Sequence, residues 1–318
     1  MNICVLDGYT LNPGDLSWDA LKLLGDVAIY DRTTPEDVVS RAINADVILT
    51  NKVELRAATF SRLPNLKFVC VLATGYNVVD CVAARQLGII VANIPAYSAM
   101  SVAQMVFAHL LNITHHVADY AKATTKGEWS RCKDFCYWDK PLIELDKKTI
   151  GIVGLGNTGM ATARIALSFG MKVLALTSKS QEDLPEDITA TPLERLLAES
   201  DVISLHCPLT ESTRNLICKS TITRMKAGAI LINTGRGPLI NESDVAEALN
   251  CGHLAAFGAD VLSEEPASSD NPLLTARNCF ITPHIAWATF EARTRLMKIA
   301  VENVRQFING EIIKNRVN

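Results

Sequence analysis

Near the middle of the chain the sequence reads Thr149-Ile150-Gly151-Ile152-Val153-Gly154-Leu155-Gly156-Asn157-Thr158-Gly159. The apolar residues at 150, 152 and 153 predict a buried strand, and residues 160–169 continue with the spacing of a helix. A second apolar run at 172–176 then predicts the next strand. A G-x-G-x-x-G turn between a strand and a helix is the arrangement that binds the phosphates of a dinucleotide.

Each glycine of this turn has its own steric reason. Gly154 permits the tight turn, Gly156 presents no side chain to the pyrophosphate, and Gly159 lets the helix pack close to the strand. The phosphates would then meet free backbone N–H groups, at Asn157 and Thr158, and the positive end of the helix dipole. A merely structural glycine turn is the alternative, and the ordered strand, turn and helix favour the cofactor site.

Apolar, strand-like runs alternate with more polar, helix-like stretches on both sides of this turn. Such alternation predicts parallel strands joined by crossover helices. We therefore expect an α/β protein with two doubly wound, parallel-sheet (Rossmann-like) domains and a cleft between them. The predicted strands are 3–6, 27–30, 47–50, 68–72 and 89–91 in the first half, and 150–153, 173–176, 202–205, 229–233, 256–259 and 279–281 in the second.

Two long helices set the expected domain boundaries. Residues 98–115 predict a helix that links the domains, and residues 291–308 predict a final helix that returns to the first domain. The first domain, flavodoxin-like, would then be discontinuous, with residues 1–98 and 290–318. The dinucleotide-binding domain would span residues 99–289.

Composition indicates a cytoplasmic protein without nucleic acid or membrane partners. The 318 residues carry a net charge of −3, with a pI near 6.1, so no basic excess attracts nucleic acid. No apolar run is long enough to cross a membrane, and no basic segment followed by an apolar one opens the chain. Nine scattered cysteines favour reduced thiols over disulfides. Only Cys132 and Cys136 are close together, so we expect no metal site.

Three polar residues follow different predicted strands of the second domain. Arg236 stands between two glycines after the strand 229–233, Glu265 precedes a proline, and His284 follows the strand 279–281. Taken alone, each residue also has a non-functional interpretation: Arg236 as a surface arginine, Glu265 as a solvated acid and His284 as a structural histidine. Ligands of open α/β sheets bind outside the carboxyl ends of the strands. A cation, an acid and an imidazole at that edge are the groups that carbonyl reduction needs.

At these residues the chain resembles the D-isomer-specific 2-hydroxyacid dehydrogenases, over nearly its full length. Within the family it is most similar to the glycerate dehydrogenase and hydroxypyruvate reductase branch. Besides the glycine turn, the family motifs occur in order as Ala73-Thr74-Gly75-Tyr76-Asn77-Val78-Val79-Asp80, His206-Cys207-Pro208-Leu209-Thr210, Asn233-Thr234-Gly235-Arg236-Gly237-Pro238, Asp260-Val261 with Glu265-Pro266, and Thr282-Pro283-His284-Ile285-Ala286.

The resemblance implies a hydride transfer between a nicotinamide cofactor and a small 2-keto acid, with hydroxypyruvate or glyoxylate as substrate. Arg236 would hold the carboxylate and carbonyl oxygen of the substrate. His284 would donate a proton to that oxygen, and Glu265 would orient the imidazole and favour its charged form. The backbone of Ala73, Thr74 and Gly75, in a first domain that binds substrate, would hold the carboxylate.

The resemblance also implies further cofactor contacts and a homodimer. Asp260 would contact the nicotinamide side, and His284, Cys207, Pro208 and Thr234 would line the cofactor site. Residues 98–138 would form a dimer arm. Substrate selectivity would come from first-domain residues and the partner subunit, with Asn51, Lys52, Tyr76 and Trp138 as candidates.

The choice between NAD and NADP depends on the end of the strand 172–176. An NAD-binding domain carries Asp or Glu there, about 20 residues after the first glycine, for the ribose 2′-hydroxyl. This chain reads Thr177-Ser178-Lys179-Ser180 instead. No carboxylate would repel a 2′-phosphate, and the hydroxyls and the lysine would bind one, so the sequence favours NADP over NAD. The alternative is that Lys179 is a solvated loop residue and that the enzyme does not discriminate between NAD and NADP.

Other functions stay open at this point. One alternative is an NAD(H)-sensing regulator of the corepressor type, although such relatives carry extra tails and this compact chain shows no extension beyond Asn318. Others are a dehydrogenase of another 2-keto acid, or of formate or phosphite. By the resemblance, formate-specific members lack the glutamate partner of the histidine, so Glu265 favours a 2-keto acid.

Overall fold

A computed structural model describes residues 1–318. The chain forms two compact units, Met1–Ser98 with Ala288–Asn318, and Ala99–Trp287. The strands are β1 (Asn2–Val5), β2 (Asp26–Ile29), β3 (Val47–Thr50), β4 (Phe68–Val71), β5 (Ile90–Ala92), β6 (Thr149–Val153), β7 (Lys172–Leu176), β8 (Ile188–Ala190), β9 (Val202–Leu205), β10 (Ala229–Asn233), β11 (Leu254–Ala259) and β12 (Cys279–Ile281).

The helices cover the sheets of both units. They are α1 (Asp19–Lys22), α2 (Val38–Ala42), α3 (Ala57–Phe60), α4 (Cys81–Gln86), α5 (Ala99–His115), α6 (Val117–Thr125), α7 (Asn157–Ser168), α8 (Leu193–Glu199), α9 (Lys219–Ile222), α10 (Glu242–Asn250) and α11 (Phe290–Ile308). The predicted helices at 98–115 and 291–308 are confirmed as α5 and α11. None of these helices combines the length and the apolar composition that a membrane-spanning helix requires.

The first unit is built on a five-stranded parallel sheet in the order β2-β1-β3-β4-β5. Its strands β3 and β4 are fully buried and apolar except for Thr50, as expected for parallel strands covered on both faces. Helix α11 returns to this unit and packs on β4, where the rings of Phe68 and Phe307 stack with centroids 4.9 Å apart. The return of this helix makes the unit discontinuous.

The second unit is built on a seven-stranded parallel sheet in the order β12-β11-β10-β9-β6-β7-β8. The connection from β8 crosses back to β9 on the other side of β6, so the strand order reverses beside β6, which is where doubly wound sheets bind ligands. Helix α5 packs against α7 and β11 on one face. The predicted class, two doubly wound parallel sheets, is confirmed, while β8 is a strand that the sequence did not predict.

Candidate active site

The glycine turn has the geometry that its sequence predicts. Gly154 has a φ of 96°, and a Cβ there would lie 2.6 Å from the backbone nitrogen of Cys207. A Cβ on Gly159 would lie 2.1 Å from the carbonyl oxygen of Gly154. A Cβ on Gly156, by contrast, would meet nothing within 4 Å. The first and third glycines are therefore required by packing, and the second faces open space.

The start of α7 is free to bind an anion. Gly156 is the N-cap residue, and no side chain caps the helix. The first N–H groups of a helix, here those of Asn157, Thr158 and Gly159, have no partner within the helix. Asn157 is exposed and Thr158 is half-buried. These donors and the helix dipole fit a dinucleotide phosphate.

Residues that follow β9 and β10 line the same edge of the sheet. Cys207 is half-buried and Pro208 is exposed after β9, and burial raises the pKa of the Cys207 thiol. Burial also lowers the pKa of the neighbouring His206 to about 4, and its Nε2 lies 2.9 Å from Ser204 Oγ. After β10, Thr234 is buried and its hydroxyl has no hydrogen-bond partner. An orphaned hydroxyl at this edge fits a site that a polar cofactor completes.

The loop after β7 is accessible and carries no acid. Thr177 is half-buried, and Ser178 and Lys179 are exposed. The Thr177 hydroxyl accepts a hydrogen bond from the Lys179 N–H at 3.2 Å, and Ser180 Oγ donates to Asp183 at 2.7 Å. Lys179 forms no ion pair, so its ammonium remains available to a ligand.

The Arg236 loop is shaped by the buried side chain of Asn233, the last residue of β10. Asn233 Oδ1 accepts from the Gly235 N–H at 3.1 Å, and its Nδ2 donates to the Arg236 carbonyl at 2.9 Å. A Cβ on Gly237 would lie 1.9 Å from the carbonyl carbon of Leu262, so this loop must touch the loop that leads to Glu265. The Arg236 side chain is exposed, and its only hydrogen bond is a donation to the Gly235 carbonyl.

His284 and Glu265 are paired. His284 Nδ1 lies 2.6 Å from Glu265 Oε2, and Glu265 Oε1 accepts from the Leu262 N–H at 3.1 Å. His284 Nε2 makes no hydrogen bond. The two side chains are about one-third exposed, at 31% and 34%. Neighbouring parallel strands β10, β11 and β12 lead to Arg236, Glu265 and His284, so all three predicted residues stand at one edge of the sheet.

Asp260, directly after β11, braces the His284 loop. It is 1% exposed. Its carboxylate accepts from Thr282 Oγ1 at 2.6 Å, from the Ile285 N–H at 2.9 Å and from the Ala286 N–H at 2.8 Å. The sequence led us to expect a cofactor contact here, and this stays a prediction. The observed role is to hold the residues on both sides of His284.

In the first unit, the loop after β4 presents unpaired donors. Thr74 Oγ1 donates to the Ile94 carbonyl at 2.9 Å, and Asn93 Nδ2 donates to the Thr74 carbonyl at 2.7 Å. The N–H groups of Ala73, Thr74 and Gly75 make no hydrogen bond, and all three residues are at least partly accessible. Consecutive free backbone N–H groups are the donors that bind anions in many protein sites.

The four selectivity candidates differ in their surroundings. Asn51 is buried, and its Nδ2 donates to the Leu72 carbonyl at 3.2 Å, so its amide supports the loop. Lys52, Tyr76 and Trp138 are exposed. No group of three or more His, Cys, Asp or Glu side chains is arranged to hold a metal ion.

Sequence reasoning missed three supporting residues of the site. Asn233 and Gly237 lie inside the motif around Arg236. The side chain of Asn233 bonds the backbone of Gly235 and Arg236, whereas Gly237 contacts Leu262 and Ser263, 25 and 26 positions along the chain. Thr282 lies in the motif around His284, but the motif does not indicate that its hydroxyl donates a hydrogen bond to Asp260. A polar residue at a buried strand end was the available signal for Asn233.

Comparisons with known proteins identify the family of the chain. Residues 107–286 match the family model of the D-isomer specific 2-hydroxyacid dehydrogenase, NAD binding domain. The chain is 51% identical over 314 residues to a hydroxypyruvate reductase of Blautia hydrogenotrophica, which covers 98% of each chain.

Solved structures share the whole fold. The crystal structure of a D-lactate dehydrogenase from Aquifex aeolicus, complexed with NAD and lactic acid, has a TM-score of 0.85 and 30% identity, covering 100% of this chain and 99% of the other. An acyclic imino acid reductase in complex with NADPH and D-Arg has a TM-score of 0.86 and 27% identity, covering both chains fully at 100%. This chain therefore belongs to the D-isomer specific 2-hydroxyacid dehydrogenases, a family of oxidoreductases that use a nicotinamide cofactor.

Proposed function

We propose that this enzyme reduces hydroxypyruvate to D-glycerate, and glyoxylate as a smaller alternative substrate. The observation that carries the proposal is the His284–Glu265 pair, with Nδ1 2.6 Å from the carboxylate and Nε2 free. The 51% identity to a hydroxypyruvate reductase over 98% of both chains supports the choice of substrate. A bound nicotinamide would supply the hydride at C2.

The chain's own residues would bind the substrate and move its proton. Arg236, which forms no ion pair, would hold the carboxylate and the carbonyl oxygen with its planar set of donors. Glu265 accepts from Nδ1 and so orients the imidazole. His284 would then donate its Nε2 proton to the carbonyl oxygen and take it back in the oxidative direction. In the first unit, the free N–H groups of Ala73–Gly75 would bind the substrate carboxylate.

The catalytic assignment is tested by His284→Gln and Arg236→Ala. Loss of a general acid removes about 10²-fold or more of the rate, so we expect His284→Gln to lower kcat/KM for hydroxypyruvate by at least that factor. Arg236→Ala should raise KM and lower kcat, because it removes both binding and polarisation. Steady-state kinetics with hydroxypyruvate, glyoxylate, pyruvate and phenylpyruvate measure these values.

One control variant makes the result decisive. His253→Gln changes a histidine whose Nε2 lies 2.9 Å from the Ile222 carbonyl, directly before the amino end of β11, whereas the site residues follow the carboxyl ends of the strands; this variant should keep wild-type kinetics. Near-full activity of His284→Gln would overturn the assignment. Absence of turnover with every 2-keto acid would instead favour a nucleotide-sensing regulator.

For the cofactor we propose NADP over NAD. The support is the accessible Thr177-Ser178-Lys179 loop, which has two hydroxyls, an unpaired ammonium and no carboxylate. A 2′-phosphate would bind these donors, whereas an acid at the strand end would repel it.

Thr177→Asp tests the cofactor preference. Placing a like charge near the 2′-phosphate should shift the ratio of kcat/KM values for NADPH and NADH towards NADH by about tenfold or more. Thr189→Asp, which adds the same charge on β8, is the matched control and should leave the ratio unchanged. A wild-type enzyme that already favours NADH contradicts the proposal.

We also propose a homodimer located in the cytoplasm. The segment after α6 exposes large apolar side chains, including Phe135 at 88% and Trp138 at 66%. Exposed apolar patches of this kind mark protein interfaces. All nine cysteines are free thiols, which fits a reducing compartment.

A further inference from the structure

A series of hydrogen-bonded polar side chains, with buried His109 and Asp260 on either side of half-buried Thr282, lies behind the loop that carries His284. His109 on α5 is 5% exposed, and its Nε2 lies 3.2 Å from Thr282 Oγ1. Thr282 Oγ1 donates to Asp260, which in turn accepts the backbone N–H groups of Ile285 and Ala286. This series of hydrogen bonds therefore connects His109, in the middle of α5, to the residues on both sides of His284. The proposed reaction makes no direct use of His109.

The direction of each hydrogen bond follows from the available protons. An ionised carboxylate only accepts, so Asp260 takes the single hydroxyl proton of Thr282. The Thr282 oxygen can then only accept from the imidazole, and His109 Nε2 must carry a proton. Burial lowers the pKa of His109, while the charge of Asp260 acts in the opposite direction. A neutral imidazole with its proton on Nε2 fits both the required donation to Thr282 and the lowered pKa of His109.

The neighbouring residues are fitted to this imidazole. Gly258 in β11 faces it, and a Cβ there would lie 2.8 Å from His109 Cβ and 3.0 Å from its Cγ. Ser101, also on α5, donates through Oγ to the Ala286 carbonyl. The helix thus holds the loop at Thr282 on one side of His284 and at Ala286 on the other.

The backbone of His284 itself needs such support. Its φ is 54°, in the left-handed region that a non-glycine residue adopts at a cost. Its N–H donates to the Thr282 carbonyl at 2.9 Å, across Pro283. A strained residue persists only where the surrounding structure holds it in place. The bonds from Asp260 and α5 are the ones that do so here.

We infer that His109 is a positioning residue for His284, which acts through Thr282 and Asp260 to hold the imidazole in its reactive orientation. The inference rests on the proposed function, because it takes His284 as the proton donor. It assigns a role to a residue that lies outside the substrate and cofactor contacts.

The kinetic test uses His109→Phe and His109→Gln. The phenyl ring fills the site but donates no hydrogen bond, so we expect kcat to fall about tenfold or more, since small misplacements of a catalytic group are costly. KM for the 2-keto acid should stay within about twofold, because His109 does not contact substrate. Glutamine presents an N–H near the position of Nε2 and should restore most of kcat.

Thr114→Val is the matched control. Thr114 is also buried on α5, and its hydroxyl donates to the Leu110 carbonyl at 2.9 Å. This variant should keep wild-type kcat even if its melting temperature falls as far as that of His109→Phe. A second comparison combines His109→Phe with Thr282→Val. If the residues act in series, the double variant is no slower than Thr282→Val alone.

The outcomes separate this inference from the proposed function. Activity retained by His284→Gln refutes the catalytic assignment itself. A wild-type kcat in folded His109→Phe, with His284→Gln inactive, overturns only the role of His109. Long-range ¹H–¹⁵N spectra of the histidine-labelled wild type give an activity-independent measurement. We expect the His109 signals, assigned by their loss in His109→Gln, to show the Nε2–H tautomer, and an Nδ1–H tautomer contradicts the inference.

Discussion

At the scale of single residues, Asp260 illustrates what a sequence pattern leaves open. The family resemblance implies that Asp260, which ends an apolar strand, contacts the nicotinamide side of the cofactor, and this stays a prediction. The structure shows its carboxylate bonded to Thr282, Ile285 and Ala286. A buried carboxylate must have its acceptor sites satisfied, and only the folded loop reveals which donors do so.

His206 provides a pH-dependent test at the same scale. Burial lowers its pKa from 6.5 to about 4. Between these values the unfolded chain binds a proton at this imidazole and the folded chain does not, so the free energy of unfolding falls as pH decreases through this window. A shift of this size corresponds to as much as about 3 kcal/mol.

His206→Gln removes the titration and retains a side-chain amide near Ser204. We expect its free energy of unfolding to change less than that of the wild type between pH 7 and pH 5, as measured by urea unfolding. Carboxylates with lowered pKa values, such as Asp15 and Asp201, titrate below this range and should contribute little to the difference. Equal changes in the two proteins would show that His206 is not held neutral by burial.

At the scale of elements, the strands and helices with clear periodicity were predictable, and β8 was not. Ile188–Ala190 has only three residues and is interrupted by the polar Thr189, whereas the equally short β5 and β12 are unbroken apolar runs. Its edge is completed by Gln181, whose Nε2 donates to the Ile188 carbonyl at 2.9 Å and whose Oε1 accepts from the Ala190 N–H at 2.7 Å. Edge strands expose unpaired backbone groups that need such cover. The same contact anchors the end of the loop that begins at Thr177.

Helix α5 was predictable as an element, but the roles of its polar residues were not. Its length and position were predicted from apolar spacing alone, with Val106 and Leu110 in the core of the second unit. The sequence did not indicate the roles of its polar residues Ser101 and His109. A histidine on an apolar helix face, for example, is more often structural than functional. Their partners Ala286 and Thr282 lie 185 and 173 positions away.

At the scale of the whole molecule, the proposed dimer predicts a measurable mass. Size-exclusion chromatography with light scattering should give about twice the chain mass of 34.6 kDa. Phe135→Asp combined with Trp138→Ser should lower it towards the monomer, because apolar burial drives such association. Ile312→Asp, which changes an equally exposed residue of the first unit, is the control. A wild-type mass of one chain refutes the dimer.

The sequence by itself determined the alternation of strands and helices, the glycine turn and the types of residue that follow β10, β11 and β12. These depend on residue type and short-range spacing, as at Gly154, Arg236 and His284, and short-range patterns are visible along a chain. Only the tertiary structure decided which groups hold that chemistry in place. The contact of Gly237 with Leu262, the bonds of Asp260 and the support from His109 join residues remote in sequence. Their roles exist only once the folded chain brings those atoms within hydrogen-bond or van der Waals distance.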